Sequence, residues 1–253
     1  MAVAPDRWIL KGALALDYRF GDRARTTRDV DLVMRGDEVS ATADLLAAQA
    51  IDPGDFFSFA IERAGALLPG ADGAAVRYHV VAELAGRTVD EFVLDVGFDP
   101  PLGIEPDRLH GPDLLAFAGI DPVAVPALPL AFAVAEKVHA YSRSYGERSV
   151  ASARVKDLVD LVLVAGAATL DARRLREALK ITFDGRATHP LPARLPGPPA
   201  DWRVAYGRMC RDMGLDPDLG AGHGLAASLV DPVLAGVARG SWVLCPGAGG
   251  RER

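Results

Sequence analysis

"RTTRDVDLV", residues 25–33, runs two arginines and two threonines directly into Asp29 and Asp31, with Val30 between the acids. Acidic and apolar residues alternate through "DVDLVM", which is strand periodicity. Residues two apart on a strand face the same side, so Asp29 and Asp31 project together, about 7 Å apart at Cα, while Val30 and Leu32 face the core. A carboxylate pair so placed repels itself unless a cation sits between its members. Magnesium suits the position, because it is a hard ion that takes oxygen ligands and brings a substrate's phosphates with it. A strand end whose acids simply meet water fits the same pattern, so the pair alone leaves both readings open.

A third acid sharpens the choice. In "EFVLDVGF", residues 91–98, Asp95 is a lone charge within an apolar strand, and buried carboxylates persist only when paired, hydrogen-bonded or metal-bound. If that strand neighbours the first, Asp29, Asp31 and Asp95 converge. Three acids suffice for two metal ions roughly 4 Å apart, the arrangement that supports in-line phosphoryl or nucleotidyl displacement. Asp29 and Asp31 then hold the ion that grips a triphosphate, and Asp95 is ligand to the other and base for the attacking hydroxyl. Thr27 shares the parity of the two acids and is placed to hydrogen-bond a metal ligand. Arg25 and Arg28 either balance Asp22 and Asp29 at the surface or hold phosphate. Upstream, Gly12 and Ala13 in "KGALAL" lack bulk where a phosphate chain needs close approach to backbone amides, although a plain helix–sheet contact reads the same way.

Working outward, "WILKGALALDYRF" has the spacing of an amphipathic helix closed by Gly21-Asp22, and residues 38–50 read as a second helix. "AAVRYHVVAEL" and "TVDEFVLDVGF" are further strands joined by a turn at Gly86-Arg87. After residue 125 the character becomes helical: "PLAFAVAEKVHAYSRSY", "ARVKDLVDLVLVAG" and "DARRLREALKITF", the last with Asp171 as N-cap. Residues 188–202 are proline-rich and irregular. One clear helix follows, "DWRVAYGRMCRDMG", then a weaker one, and "CPGAGGRER" closes the chain. The expected organisation is a mixed-sheet α+β domain over 1–125, a helical domain over 126–240 that closes a cleft, and a flexible tail over 241–253.

In the helical half, Lys137 flanks an apolar stripe and is either solvated or functional. Asp157 and Asp160 share a face of "RVKDLVDL". They form either an exposed acidic edge, with Lys156 and Asp160 as a weak surface pair, or a device in which Asp157 fixes Lys137 or Arg154 against triphosphate oxygens. The chain has 253 residues, half of them apolar, and a net charge of −6. It can bury a sizeable core, and the charge argues against a surface basic all over while allowing a local basic channel. Its 28 basic residues include four lysines, a bias that lends Lys137 and Lys156 some weight. Cys210 and Cys245 fit neither a disulfide framework nor a zinc spacing. No run reaches the roughly 18 apolar residues of a membrane span, and no secretory signal is present, so a cytoplasmic location is expected.

Taken in order, "LKGALAL … RTTRDVDLV … VLDV … AEKVHAY … RVKDLVDL" resembles the AbiEii/AbiGii toxin family of nucleotidyltransferase-like proteins, which includes the MenT toxins of mycobacteria. Five motifs in order are far more specific than any one. The resemblance implies a nucleotidyltransferase fold, magnesium, and transfer of a nucleoside monophosphate from an NTP. Carried over, it makes Asp29 and Asp31 the metal-binding pair, Lys137 the lysine that contacts NTP phosphates, Asp157 an essential acid and Asp95 the third strand acid. It further implies toxin activity beside a cognate antitoxin, with the tRNA 3′ end as acceptor. A small molecule or protein acceptor, or a nucleotide-binding regulator without catalysis, are the alternatives. Ala13 stands where the family has a second glycine or a serine, which removes a hydroxyl contact to phosphate.

Overall fold

The computed structural model describes residues 3–4, 6–52, 54, 56–64, 75–98, 100, 103–113, 117, 119, 122–145, 150–151 and 154–243. The chain divides into two compact units, Met1–Gly21 with Thr26–Leu128, and Asp22–Arg25 with Pro129–Arg253.

The first unit is a mixed seven-stranded sheet with two helices. Its elements are β1 (Trp8–Lys11), α1 (Gly12–Phe20), β2 (Asp29–Met34), α2 (Glu38–Gln49), β3 (Phe57–Ala64), β4 (Ala75–Leu84), β5 (Arg87–Phe98), β6 (Asp107–His110) and β7 (Ala124–Ala127). The strand order is β3-β4-β5-β2-β1-β7-β6. β2 runs parallel to β5 and antiparallel to β1, which is itself parallel to β7. "WILK" is therefore a strand and not the first turn of a helix, as its spacing suggested. Trp8, Ile9 and Leu10 are all buried, so both faces of this short segment are covered, as a central strand requires. Helical spacing in four apolar residues cannot separate the two cases. The switch to helix falls at Gly12, whose φ of +69° is a conformation that glycine adopts without strain.

One face of the sheet is apolar. Leu32 and Met34 of β2, Val76, Tyr78 and Val80 of β4, and Leu94 and Val96 of β5 form a common core with Ala15 of α1 and with Ala41 and Leu45 of α2. A two-residue turn joins β4 to β5, and Ala85 and Gly86 both have positive φ, 50° and 76°, as such hairpin turns demand. β3, β6 and β7 carried no sufficient sequence signal. β6 and β7 are only four residues each, and β3 is largely exposed.

The second unit is helical: α3 (Leu130–Ser142), α4 (Val155–Ala167), α5 (Ala172–Arg186), α6 (Arg203–Asp212) and α7 (Leu219–Leu234). Short strands β8 (Ser144–Tyr145) and β9 (Val150–Ala151) pair with each other. β10 (Thr169–Asp171) pairs with β11 (Ser241–Val243), so the first residues of the segment expected as a tail are in a strand. The remainder, with Cys245, lies outside the described residues. Asp171 caps α5 by accepting from the Arg174 amide at 2.8 Å, and of the segment expected to be irregular, 188–202, residues 188–199 contain no helix or strand while Ala200–Trp202 form a 3-10 turn leading into α6. Cys210 is buried with a free thiol. Among the described residues no helix is long and apolar enough to cross a membrane.

Candidate active site

Four strands of the sheet set one row of charges. Lys11 pairs with Asp31 across β1 and β2, Asp31 with Asp95 across β2 and β5, and Asp95 with Arg77 across β5 and β4. Residues paired between neighbouring strands project from the same face. The row therefore reads cation, acid, acid, cation, on the face opposite the apolar core. Asp29 shares that face one pleat along β2, level with Val93.

Asp95 is held by a forked pair: Arg77 Nε and Nη2 donate to its two oxygens at 2.7 and 2.7 Å, the strongest geometry available to a guanidinium and a carboxylate. The hydrogen bond to Asp95 holds Arg77 still more firmly protonated than usual, and Asp29 and Asp31 add to that effect through their charge. Asp31 also lies close to Gly12. A Cβ built on Gly12 would stand 2.0 Å from Asp31 Oδ2, so only glycine lets the carboxylate lie against the start of α1. Gly12 is thus explained by contact with the acid, whereas Ala13 is a buried core residue at 3% exposure. Thr27 turns its hydroxyl to the Asp29 backbone, accepting from the amide at 3.2 Å, so it shapes the start of β2 and does not touch a carboxylate. Arg28 and Asp29 are exposed.

Asp29 and Asp31 offer oxygen donors on one face, which suits a hard divalent cation. Asp95 does not fit beside them as a third ligand, because both its oxygens are engaged by Arg77. Among the described residues no group of three His, Cys, Asp or Glu side chains stands close enough to hold a metal.

The second unit contains its own charged cluster. Lys137 of α3 is 16% exposed and contacts two acids of α4, Asp160 at 2.8 Å and Asp157 at 3.1 Å. Neither acid lies on an exposed edge, since Asp157 and Asp160 are 3% and 1% exposed. Asp160 pairs with Lys137 and Arg25, and not with the exposed Lys156: Arg25 Nε and Nη2 reach its oxygens at 2.9 and 3.3 Å. This places Arg25 in the helical unit, held by Asp160 and not by Asp22 or Asp29. Arg154 stands 3.6 Å from Asp157 Oδ2, an oxygen that is buried without a hydrogen-bond donor. Burial would lower the Lys137 pKa, but Asp160 and Asp157 outweigh it, and the net displacement is upward. Lys137 is a fixed cation. Three cations, Lys137, Arg25 and Arg154, stand around the same two carboxylates.

Arg77 and Lys11 were not singled out by sequence, and Asp160 was read only as sharing a helix face with Asp157 or as a surface partner of Lys156. The available signals were Arg77 in the polar phase of a strand whose other phase is Val76, Tyr78, Val80 and Ala82, and Lys11 immediately before Gly12, which lies against an acid of the row.

Residues 2–230 match the protein family described as "Nucleotidyl transferase AbiEii toxin, Type IV TA system". No curated protein matches the chain. Among solved structures, the chain is similar to MenT4, a nucleotidyltransferase toxin of Mycobacterium tuberculosis H37Rv, with TM-score 0.52 and 22% identity over 91% of this chain and 85% of that one. It is also matched to JHP933 of Helicobacter pylori, with TM-score 0.46 and 14% identity over 92% and 87% of the two chains. The first of these likenesses extends to the fold.

Proposed function

The chain belongs to the AbiEii family of nucleotidyltransferase toxins, and from that premise we propose that it transfers a nucleoside monophosphate from an NTP to the 3′ end of a tRNA in a magnesium-dependent reaction, thereby blocking translation. The observation that carries this reading is the placement of Asp29 and Asp31 on one face of β2, with Asp95 in register beside Asp31.

Asp29 and Asp31 would hold the magnesium ion, which supplies charge neutralisation on the triphosphate oxygens. Lys137, already protonated and oriented by Asp157 and Asp160, contacts phosphate, and Arg25 and Arg154 add positive charge to the same cluster. In the transfer the acceptor hydroxyl oxygen bonds to the α-phosphorus while the bond from that phosphorus to its bridging oxygen breaks. Pyrophosphate leaves with the bond's electron pair, and the hydroxyl proton passes to a carboxylate oxygen of Asp95. Arg28, exposed beside Asp29, is placed to hold acceptor or nucleotide phosphate. Family membership further points to a cognate antitoxin as partner.

Each labelled NTP would be offered with tRNA, total protein and small-molecule acceptors to wild type and Asp31→Ala. The expected result is label on tRNA from wild type alone. Label on another acceptor and none on tRNA would reject the tRNA assignment. If overproduced Asp31→Ala arrests growth as strongly as wild type, the chain acts without catalysis and the proposal fails.

A further inference from the structure

We propose that Arg77 is a positioning residue that keeps Asp95 out of the metal-ligand set, so that the row binds one divalent ion with the nucleotide, at Asp29 and Asp31. The inference rests on the nucleotidyltransferase reading above and adds to it the number of ions and the residue that sets it.

Three carboxylates on one face of a sheet, two of them in register, would ordinarily invite two ions. Here the sheet supplies an internal cation first. Arg77 is the in-register neighbour of Asp95, so the pair forms across adjacent strands and needs no loop to close over it. Both carboxylate oxygens are spanned at 2.7 Å, and a fixed guanidinium repels a dication that approaches the same oxygens. The strands on either side hold the geometry: Val76 and Tyr78 of β4 and Leu94 and Val96 of β5 are buried in the core, and this fixes the register from which Arg77 and Asp95 project. The separation agrees with the finding that no three-acid group among the described residues is close enough to share a metal. Arg77 thereby supplies the positive charge at Asp95, and the donors it does not spend there would serve a phosphate or acceptor oxygen. Asp95 keeps lone pairs outside the fork, so it can accept a proton without being a ligand.

The test is equilibrium dialysis against Mn2+ and an NTP analogue with a non-cleavable α–β bridge, counting both bound species, with thermal melting to confirm folding. The expected ratio of Mn2+ to analogue is one for wild type, two for Arg77→Gln, and one again for Arg77→Gln/Asp95→Asn. A ratio of two in wild type, or of one in Arg77→Gln, overturns the proposal. If Arg77→Gln does not fold, Asp95→Asn alone decides: an unchanged ratio of one upholds the proposal, and loss of an ion overturns it. Failure of wild type to retain any analogue would instead sink the nucleotide-binding reading on which the inference stands.

Discussion

Gly12 illustrates how much a single residue can carry. It begins α1 at positive φ and lies against Asp31, so a methyl group there meets both backbone strain and a carboxylate. The left-handed conformation alone costs a non-glycine residue about 1–2 kcal/mol, and a displaced Asp31 would misplace whatever it holds. Gly12→Ala should therefore lower kcat about 100-fold with a loss of only about 1–2 kcal/mol in stability, measured by labelled-NTP turnover and by urea denaturation. Asp160 is a contrasting case. It is 1% exposed and accepts from both Lys137 and Arg25, so Asp160→Ala leaves two part-buried cations short of a partner and should cost about 3 kcal/mol. Lys156→Ala should stay within about 0.5 kcal/mol, because the exposed lysine does not support Asp160. Equal urea midpoints for the two variants would refute this assignment of partners.

At the scale of elements, both ends of α5 can be tested. Its N-cap, Asp171, was legible from sequence because a capping carboxylate acts within three residues. Asp171→Ala should cost about 1 kcal/mol. At the other end Ala187 sits at φ 47° and ψ 28°, left-handed, with its amide bonded to Phe183 O. Ala187→Gly should stabilise the unit by roughly 0.5–1 kcal/mol, visible as a rise in Tm, and a fall would refute the helix-end geometry. The helices of the second unit could be anticipated because 3.6-residue periodicity extends over 10 to 16 residues in each. β1, β6 and β7 could not, since a four-residue segment contains at most two periods of alternation.

For the whole molecule, pH dependence should follow from one buried imidazole. His139 of α3 is fully buried, and burial, then the charges of Arg186 and His189, lower its pKa from 6.5 to about 4 against a smaller opposing effect of Glu136. It accepts or donates to Thr188 Oγ1 at 2.8 Å and stacks edge-on with Phe183. Folding lowers the affinity of this base for a proton, so between pH 6.5 and 4 the unfolded chain binds a proton that the folded chain refuses. Stability is complete above pH 6.5 and declines as pH falls, by about 3 kcal/mol at the limit. His139→Gln should flatten that decline in urea midpoints measured from pH 7 to 4. An equally steep slope in the variant would assign the acid sensitivity elsewhere.

The sequence by itself determined the local features: the acid alternation of β2, the long amphipathic helices, the Asp171 cap, and a motif order specific enough to indicate the family. Each is written in residues near one another along the chain, where periodicity and hydrogen-bond reach operate. What only the tertiary structure decided was partnership. That Asp95 belongs to Arg77 and that Asp31 rests on Gly12 depends on strand order and register, and that Asp160 takes Arg25 across 135 positions of chain depends on the folding of the helical unit. A shift of one residue in that register would turn a charged row into the core; the burial of Leu32, Leu94, Val96 and Tyr78 on the opposite face holds it in place.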